Sequence, residues 1–254
     1  MKSIDFDSVA DLYDSYVTVD FDIDFFRKLS KECNGKCLEL MCGTGRVSLP
    51  LLMENIELTC VDYSEEMLNV LKKKAGELNI TPEIECQDVC NLNLKDKYKL
   101  IIIPFNSFSE ISDSIRQEQA LEKIYKHLDN GGTFVCTLYN PEYRKKTADG
   151  LLRVLGKFQI DENKSLVVSS YNVYNEKTKN VTGIQFYEIY GKDNKLIEKR
   201  CMDICFSLIS KEDFIEMASK AGLKIKEILG DYNFSPFSED SMFMNFILNK
   251  EQKG

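Results

Sequence analysis

The chain has one histidine in 254 residues, and none of its nine cysteines forms a CxxC pair. With so few metal ligands at metal-binding spacing, no resident metal is expected. Cys86 with Cys90 and Cys201 with Cys205 are each separated by three residues. An odd cysteine count spread along a long chain also argues against a secreted disulfide scaffold. The cysteines are read as buried reduced thiols, with Cys60, Cys136 and Cys205 inside strands as small apolar groups. No stretch approaches the ~20 apolar residues of a membrane span. The longest apolar run, Leu100-Ile-Ile-Ile-Pro-Phe105, has the length of a strand. The start, Met1-Lys-Ser-Ile-Asp-Phe-Asp7, lacks the apolar core of a signal peptide, so a cytoplasmic location away from membranes is expected. Basic residues are also short: 33 Lys and Arg against 41 Asp and Glu, a net charge of -8. A broad surface for neutralising phosphates is therefore not expected, which disfavours nucleic acid as a partner. Monomer and homodimer both stay open.

Hydrophobic residues make up 43% of the chain, enough for one large domain with an insertion. Residues 5–32 read as a helical arm, within an N-terminal segment 1–34. Asp5 or Asp7 caps a first helix carrying Val9, Leu12, Tyr13 and Tyr16, and Phe21, Phe25, Phe26 and Leu29 lie on a second. Strands then alternate with helices: Cys37–Met41, a helix from Val47, Ile56–Val61, a helix capped by Ser64, Ile84–Gln87 and Tyr98–Pro104. A helix follows, opened by a capping box of Ser114 with Gln117 and ending at Asn130-Gly131-Gly132, and then the strand Thr133–Tyr139. Such alternation predicts a parallel α/β sheet.

The rhythm changes at Asn140-Pro141. Residues 142–150 read as turn. Leu166–Tyr174, Thr182–Tyr190 and Leu196–Leu208 read as antiparallel strands, an inserted sheet over 151–208. A helix capped by Ser210 and strands Leu223–Leu229 and Met242–Leu248 return to the main sheet. The core is thus expected over 35–150 and 209–254, with a frayed tail from Asn249.

The chemistry is concentrated at Cys37-Leu-Glu-Leu-Met-Cys-Gly-Thr-Gly-Arg46, a strand running into a glycine turn. Dinucleotide enzymes use the same device, with Gly-x-Gly-x-x-Gly. Here Ser48 stands at the third glycine position. Glu39, four residues before Gly43, would repel a pyrophosphate but attract an α-ammonium group. No Gly-Lys-Ser/Thr follows, so a P-loop is excluded. Asp62 ends the second strand, where it can accept from two ribose hydroxyls, and Tyr63 and Met67 can pack on adenine. Asp88 follows the third strand, where it can accept from an adenine amino group beside the Val89 amide.

Leu38-Glu-Leu-Met-Cys-Gly-Thr-Gly-Arg46, Val61-Asp-Tyr-Ser-Glu-Glu-Met-Leu68 and Gln87-Asp-Val89, in that order, closely resemble the class I S-adenosylmethionine-dependent methyltransferases. The resemblance covers about 36–140 and 209–250. It implies a Rossmann-like seven-stranded sheet whose last strand is antiparallel, flanked by helices, and S-adenosylmethionine across its carboxyl edge, with S-adenosylhomocysteine as product. The cofactor residues it implies are Glu39, Cys42, Gly43, Thr44, Gly45, Arg46, Asp62, Tyr63, Met67, Gln87, Asp88, Val89 and Pro104. Asn106, in Pro104-Phe-Asn-Ser-Phe-Ser-Glu110, would lie beside the reacting groups, and Tyr13 and Tyr16 would close the pocket. Similar small-molecule enzymes carry an antiparallel insertion that covers the acceptor. Tyr171, Tyr174, Phe186, Tyr187, Tyr190 and Phe206 alternate along it, so only one set can face inward. Arg200 is read as a solvated strand residue. His127 closes a helix, where a cation suits the dipole, and is not chosen as a base. The expectation is methyl transfer to nitrogen or oxygen of a small metabolite. RNA or protein methylation, or cofactor binding without catalysis, are the alternatives.

Overall fold

The computed structural model describes residues 4–250. The arm holds a 3-10 turn (Phe6–Val9), α1 (Ala10–Tyr16) and α2 (Ile23–Glu32). Then come β1 (Cys37–Leu40), α3 (Ser48–Met53), β2 (Leu58–Asp62), α4 (Glu65–Glu77), β3 (Glu83–Cys86), β4 (Tyr98–Ile103), α5 (Ser114–His127), β5 (Leu128–Tyr139) and α6 (Pro141–Lys145). Four long strands follow: β6 (Asp149–Asp161), β7 (Lys164–Asn175), β8 (Asn180–Gly191) and β9 (Leu196–Ser207). The chain then forms α7 (Lys211–Lys220), β10 (Leu223–Leu229) and β11 (Phe243–Lys250). Residues 1–3 of the expected leader-free start and 251–254 of the expected tail lie outside the described residues; Asn249 and Lys250 are paired in β11.

The seven-stranded sheet has the order β10-β11-β5-β4-β1-β2-β3, and β11, last in the chain, runs antiparallel to both neighbours. The remaining pairs are parallel. Alternate residues of the central strands feed opposite cores, as a pleat requires. Ile101 and Ile103 pack with α5 and α7 through Leu121, Ile124 and Phe214. Leu100 and Ile102 pack with Leu49, Leu51 and Leu71 of α3 and α4, and with Phe25 and Phe26 of α2. The strand order reverses between β1 and β4, which opens a crevice at the carboxyl ends of β1, β2 and β4.

The second sheet, β6-β7-β8-β9, is antiparallel throughout. Its inner face carries Leu166, Val168, Tyr187, Ile189 and Met202, packed on Val9 and Leu12 of the arm. That answers which aromatic set turns inward: Tyr187 is buried, while Tyr171 is 40% exposed.

Several local expectations are corrected. Asp113, not Ser114, caps α5 by accepting from the Arg116 amide, and Gln117 reaches the Ile111 carbonyl instead of closing a box. Residues 141–145 form a helix capped by Asn140 rather than a turn. Phe21 precedes α2 and is exposed. All nine cysteines are free, but Cys86 and Cys201 are exposed rather than buried. No helix among the described residues is long and apolar enough to cross a membrane.

Candidate active site

The glycine turn is shaped by backbone constraints. Gly43 and Gly45 have φ of +55° and +82°. A Cβ on Gly45 would lie 2.2 Å from Leu71 Cδ1, so only glycine lets the turn pack on α4. A Cβ on Gly43 would meet nothing within 4 Å, because that face opens on the crevice. Gly43 is therefore the point where a ligand can approach the main chain.

Asp62 ties this turn to the next strand. Its Oδ2 accepts from the Gly43 amide at 2.7 Å and its Oδ1 from the Ser64 amide at 2.9 Å. Burial pushes its pKa up, while these amides favour the charged form. Ser64 caps α4 by accepting from the Met67 amide. Asp7, expected to cap its own helix, caps α4 in trans instead: its Oδ1 accepts from Ser64 Oγ and the Glu66 amide.

The crevice has three adjoining compartments. The largest, of 260 Å³, is lined by Asp62, Tyr63, Gln87, Asp88 and Val89, with Met41, Ile111 and Arg116. A narrow neck is lined by Tyr13, Gly43, Asp62, Tyr63 and Met67, with Ser107 and Glu110. The inner end is lined by Glu39, Cys42, Thr44, Arg46 and Pro104, with Tyr13, Phe105 and Ser107. Residues as far apart in sequence as Tyr13 and Glu110 thus meet at one sheet edge. Met41, which borders all three, was missed. Its only sequence signal is its place inside the glycine motif, where it adopts φ +58°.

This donor set fits S-adenosylmethionine. An acceptor carboxylate stands at the neck, apolar Met41 and Met67 and the Tyr63 ring flank it, and an open glycine backbone faces it. Asp88 shares its carboxylate between the Cys90 amide and Arg116, so any adenine contact would use the remaining lone pairs. The Gln87 side chain folds its own loop by bonding to Asn93.

Of the other expected residues, Arg46 borders the inner end, while Tyr16 and Asn106 are not on the lining. Tyr16 is off the crevice, its hydroxyl 3.1 Å from that of Tyr187. Asn106 has φ +62° and a buried side-chain oxygen without a partner among the described residues, while its neighbours Phe105 and Ser107 line the cavity. Arg46 is a clamp: its guanidinium pairs with both oxygens of buried Asp22 and stacks 4.4 Å from the Phe105 ring. Arg200 is not simply solvated, because it grips Asp11 of α1. His127 is held neutral, with Nε2 accepting from the Leu94 amide and Nδ1 facing the Lys123 carbonyl; burial lowers its pKa.

Glu39 is 1% exposed and accepts from Ser48 Oγ at 2.6 Å. Burial pushes its pKa up to about 8, against the Ser48 bond and the nearby Arg46 charge. The unfolded chain ionises Glu near pH ~4.3. The native form keeps its proton longer, so this group's favourable share of stability is present at low pH and is lost as pH rises through about 8. Glu39→Gln keeps a partner for Ser48 and cannot ionise. The ligand-free variant is expected to match the parent near pH 4 and to exceed it by a few kcal/mol at pH 9, read by thermal unfolding across that range. Parallel stability curves would show that Glu39 is ionised throughout.

Residues 37–132 match the model of a methyltransferase domain. The chain is 27% identical over 177 residues to a malonyl-[acyl-carrier protein] O-methyltransferase of Bacillus cytotoxicus, covering 68% of this chain and 59% of that one. An S-adenosylmethionine-dependent methyltransferase from Clostridium acetobutylicum superposes with a TM-score of 0.80 at 20% identity, over 97% of this chain and 99% of that chain. A sugar N-methyltransferase from Streptoalloteichus superposes with a TM-score of 0.77 at 16% identity, over 95% and 92%.

Proposed function

As this chain belongs to the class I S-adenosylmethionine-dependent methyltransferases, we propose that it methylates nitrogen or oxygen of a small soluble metabolite. The observation that carries this reading is the roof over the crevice. The arm lies across it, held by Asp14 to Thr44 and Lys74, by Asp7 to Ser64, and by Asp11 to Arg200 of the inserted sheet. A site covered by bolted elements admits a small acceptor more readily than a polymer. The net charge of -8 points the same way for nucleic acid.

When bound, the cofactor supplies an electrophilic methyl group on a sulfonium. The chain's own task is then alignment and exclusion of water. Asp62 would hold the ribose hydroxyls, Tyr63 and Met67 the adenine faces, and Glu39 the α-ammonium. Tyr13, half-buried and bordering the two narrower compartments, would close the site over the reacting groups. The inserted sheet, packed behind the arm, would set the acceptor's shape.

Titration with S-adenosylmethionine and S-adenosylhomocysteine is the first test, and micromolar binding of both is expected. Methyl-labelled cofactor offered to metabolite, RNA and protein pools is the second. Label is expected in the metabolite fraction. Label confined to RNA or protein would overturn the acceptor assignment, and binding without any transfer would favour a non-catalytic role.

A further inference from the structure

Glu110 has no part in the cofactor contacts just proposed. It ends the 3-10 turn Ser107–Glu110 after β4 and borders both the large compartment and the neck. Two successive left-handed residues, Phe105 and Asn106, turn the chain to bring it there. Among the described residues, nothing donates a hydrogen bond to its carboxylate and no cation pairs with it.

Its surroundings make that notable. Tyr13 and Tyr16 of α1, and Asp62 and Tyr63 at the end of β2, all feel its charge. The nearest guanidinium on the lining, that of Arg116, is tied to Asp88. Glu110 and Asp62 therefore present two carboxylates to one cavity, with no cation between them among the described residues. Burial, and then Asp62, push the Glu110 pKa up to about 8. Among the described residues nothing balances this pair, so a cationic ligand suits the site.

We propose that Glu110 receives the acceptor as an amine and takes its ammonium proton. This rests on the methyltransferase reading above and narrows its acceptor class. An N–H proton passes to a Glu110 oxygen, leaving a neutral amine and a carboxylic acid. The freed lone pair forms the nitrogen–carbon bond to the methyl group. The carbon–sulfur bond breaks as its electron pair returns to sulfur, and the product leaves as the methylated ammonium. A base must match its substrate: a carboxylate suits an ammonium group, whereas an alcohol holds its proton far too tightly for it. Glu110 shares the neck with Tyr13 and Ser107, which also border the inner end, and that places its carboxylate beside the junction where ribose gives way to the reacting groups.

The test compares the parent chain with Glu110→Gln and Glu110→Asp. Calorimetry gives the affinities for S-adenosylmethionine and S-adenosylhomocysteine. Methyl-labelled cofactor is then offered with paired probes, amino sugars beside their parent sugars and amino alcohols beside diols, from pH 6 to 10. Label is expected on the amines alone. Glu110→Gln should lower kcat/KM by about 100-fold and abolish the rise of the parent's profile near pH 8, with partial recovery in Glu110→Asp. Both cofactor affinities should stay within about threefold, which also verifies the fold. Label on alcohols alone, on no amine, or undiminished in Glu110→Gln overturns the proposal. So does a variant that loses S-adenosylmethionine but keeps S-adenosylhomocysteine, because the carboxylate would then serve the sulfonium. If the parent binds neither ligand, the methyltransferase reading falls, and the role of Glu110 falls with it.

Discussion

Replacing Asp62 by Ala is expected to weaken S-adenosylmethionine and S-adenosylhomocysteine alike by about 100- to 1,000-fold. Two charge-assisted hydrogen bonds to ribose hydroxyls would go, each of the order of 1.5–2 kcal/mol. Part of the effect is indirect. Asp62 accepts from the amides of Gly43 and Ser64, so its loss frees the glycine turn from the start of α4. Because the hydroxyls belong to both ligands, the loss should be equal for the sulfonium and the thioether. Asp62→Asn should fall between, since one oxygen can still accept while the new amide group faces a backbone N–H. Calorimetric titration of the three proteins decides it. Equal affinity in all three would remove Asp62 from the site.

Replacing Arg46 by Ala should destabilise the fold by about 3–5 kcal/mol, the usual result of stranding one partner of a buried ion pair. Asp22 is 0% exposed and both its oxygens are held by this one guanidinium. Arg46 also bonds the Val19 carbonyl and covers the Phe105 ring, so the arm, the glycine turn and the edge of β4 loosen together. Arg46→Lys should recover only part, because an ammonium cannot reproduce the two-pronged contact. A double variant, Arg46→Met with Asp22→Leu, should regain most of the stability, since two apolar groups leave no charge stranded. Urea denaturation monitors all of these. A single Ala variant as stable as the parent would show that Asp22 finds water or another partner.

These two residues also mark what can be read without coordinates. Asp62 is legible because it ends an apolar strand of five buried residues and precedes a local cap. Ser210 is legible for the same reason, its cap closing on the Asp213 amide three residues away. The arm has seven aspartates between positions 5 and 24, and locally they look like helix caps. Four of them instead bind partners at positions 46, 64, 44 with 74, and 200. Nothing in local spacing signals a partner that far along the chain. β6 is read only as part of the insertion, without bounds of its own, for another reason. Leu151, Leu152, Val154 and Leu155 are all more than half exposed, so the alternation that marks a strand is broken there.

By itself the sequence determined the alternation of strands and helices in the main sheet, whereas its antiparallel last strand was an implication of the family resemblance alone. The sequence also determined the glycine turn with Glu39, Asp62 and Asp88 around it. Periodicity, capping and turn chemistry act over a few residues and are written locally. Only the tertiary structure decided that Tyr16 and Arg200 fasten the arm to the inserted sheet, that Arg46 serves Asp22, and that Glu110 faces the crevice without a partner among the described residues. Those outcomes depend on which distant side chains share a desolvated space, and that is settled when the sheet edge, arm and insertion close on one another.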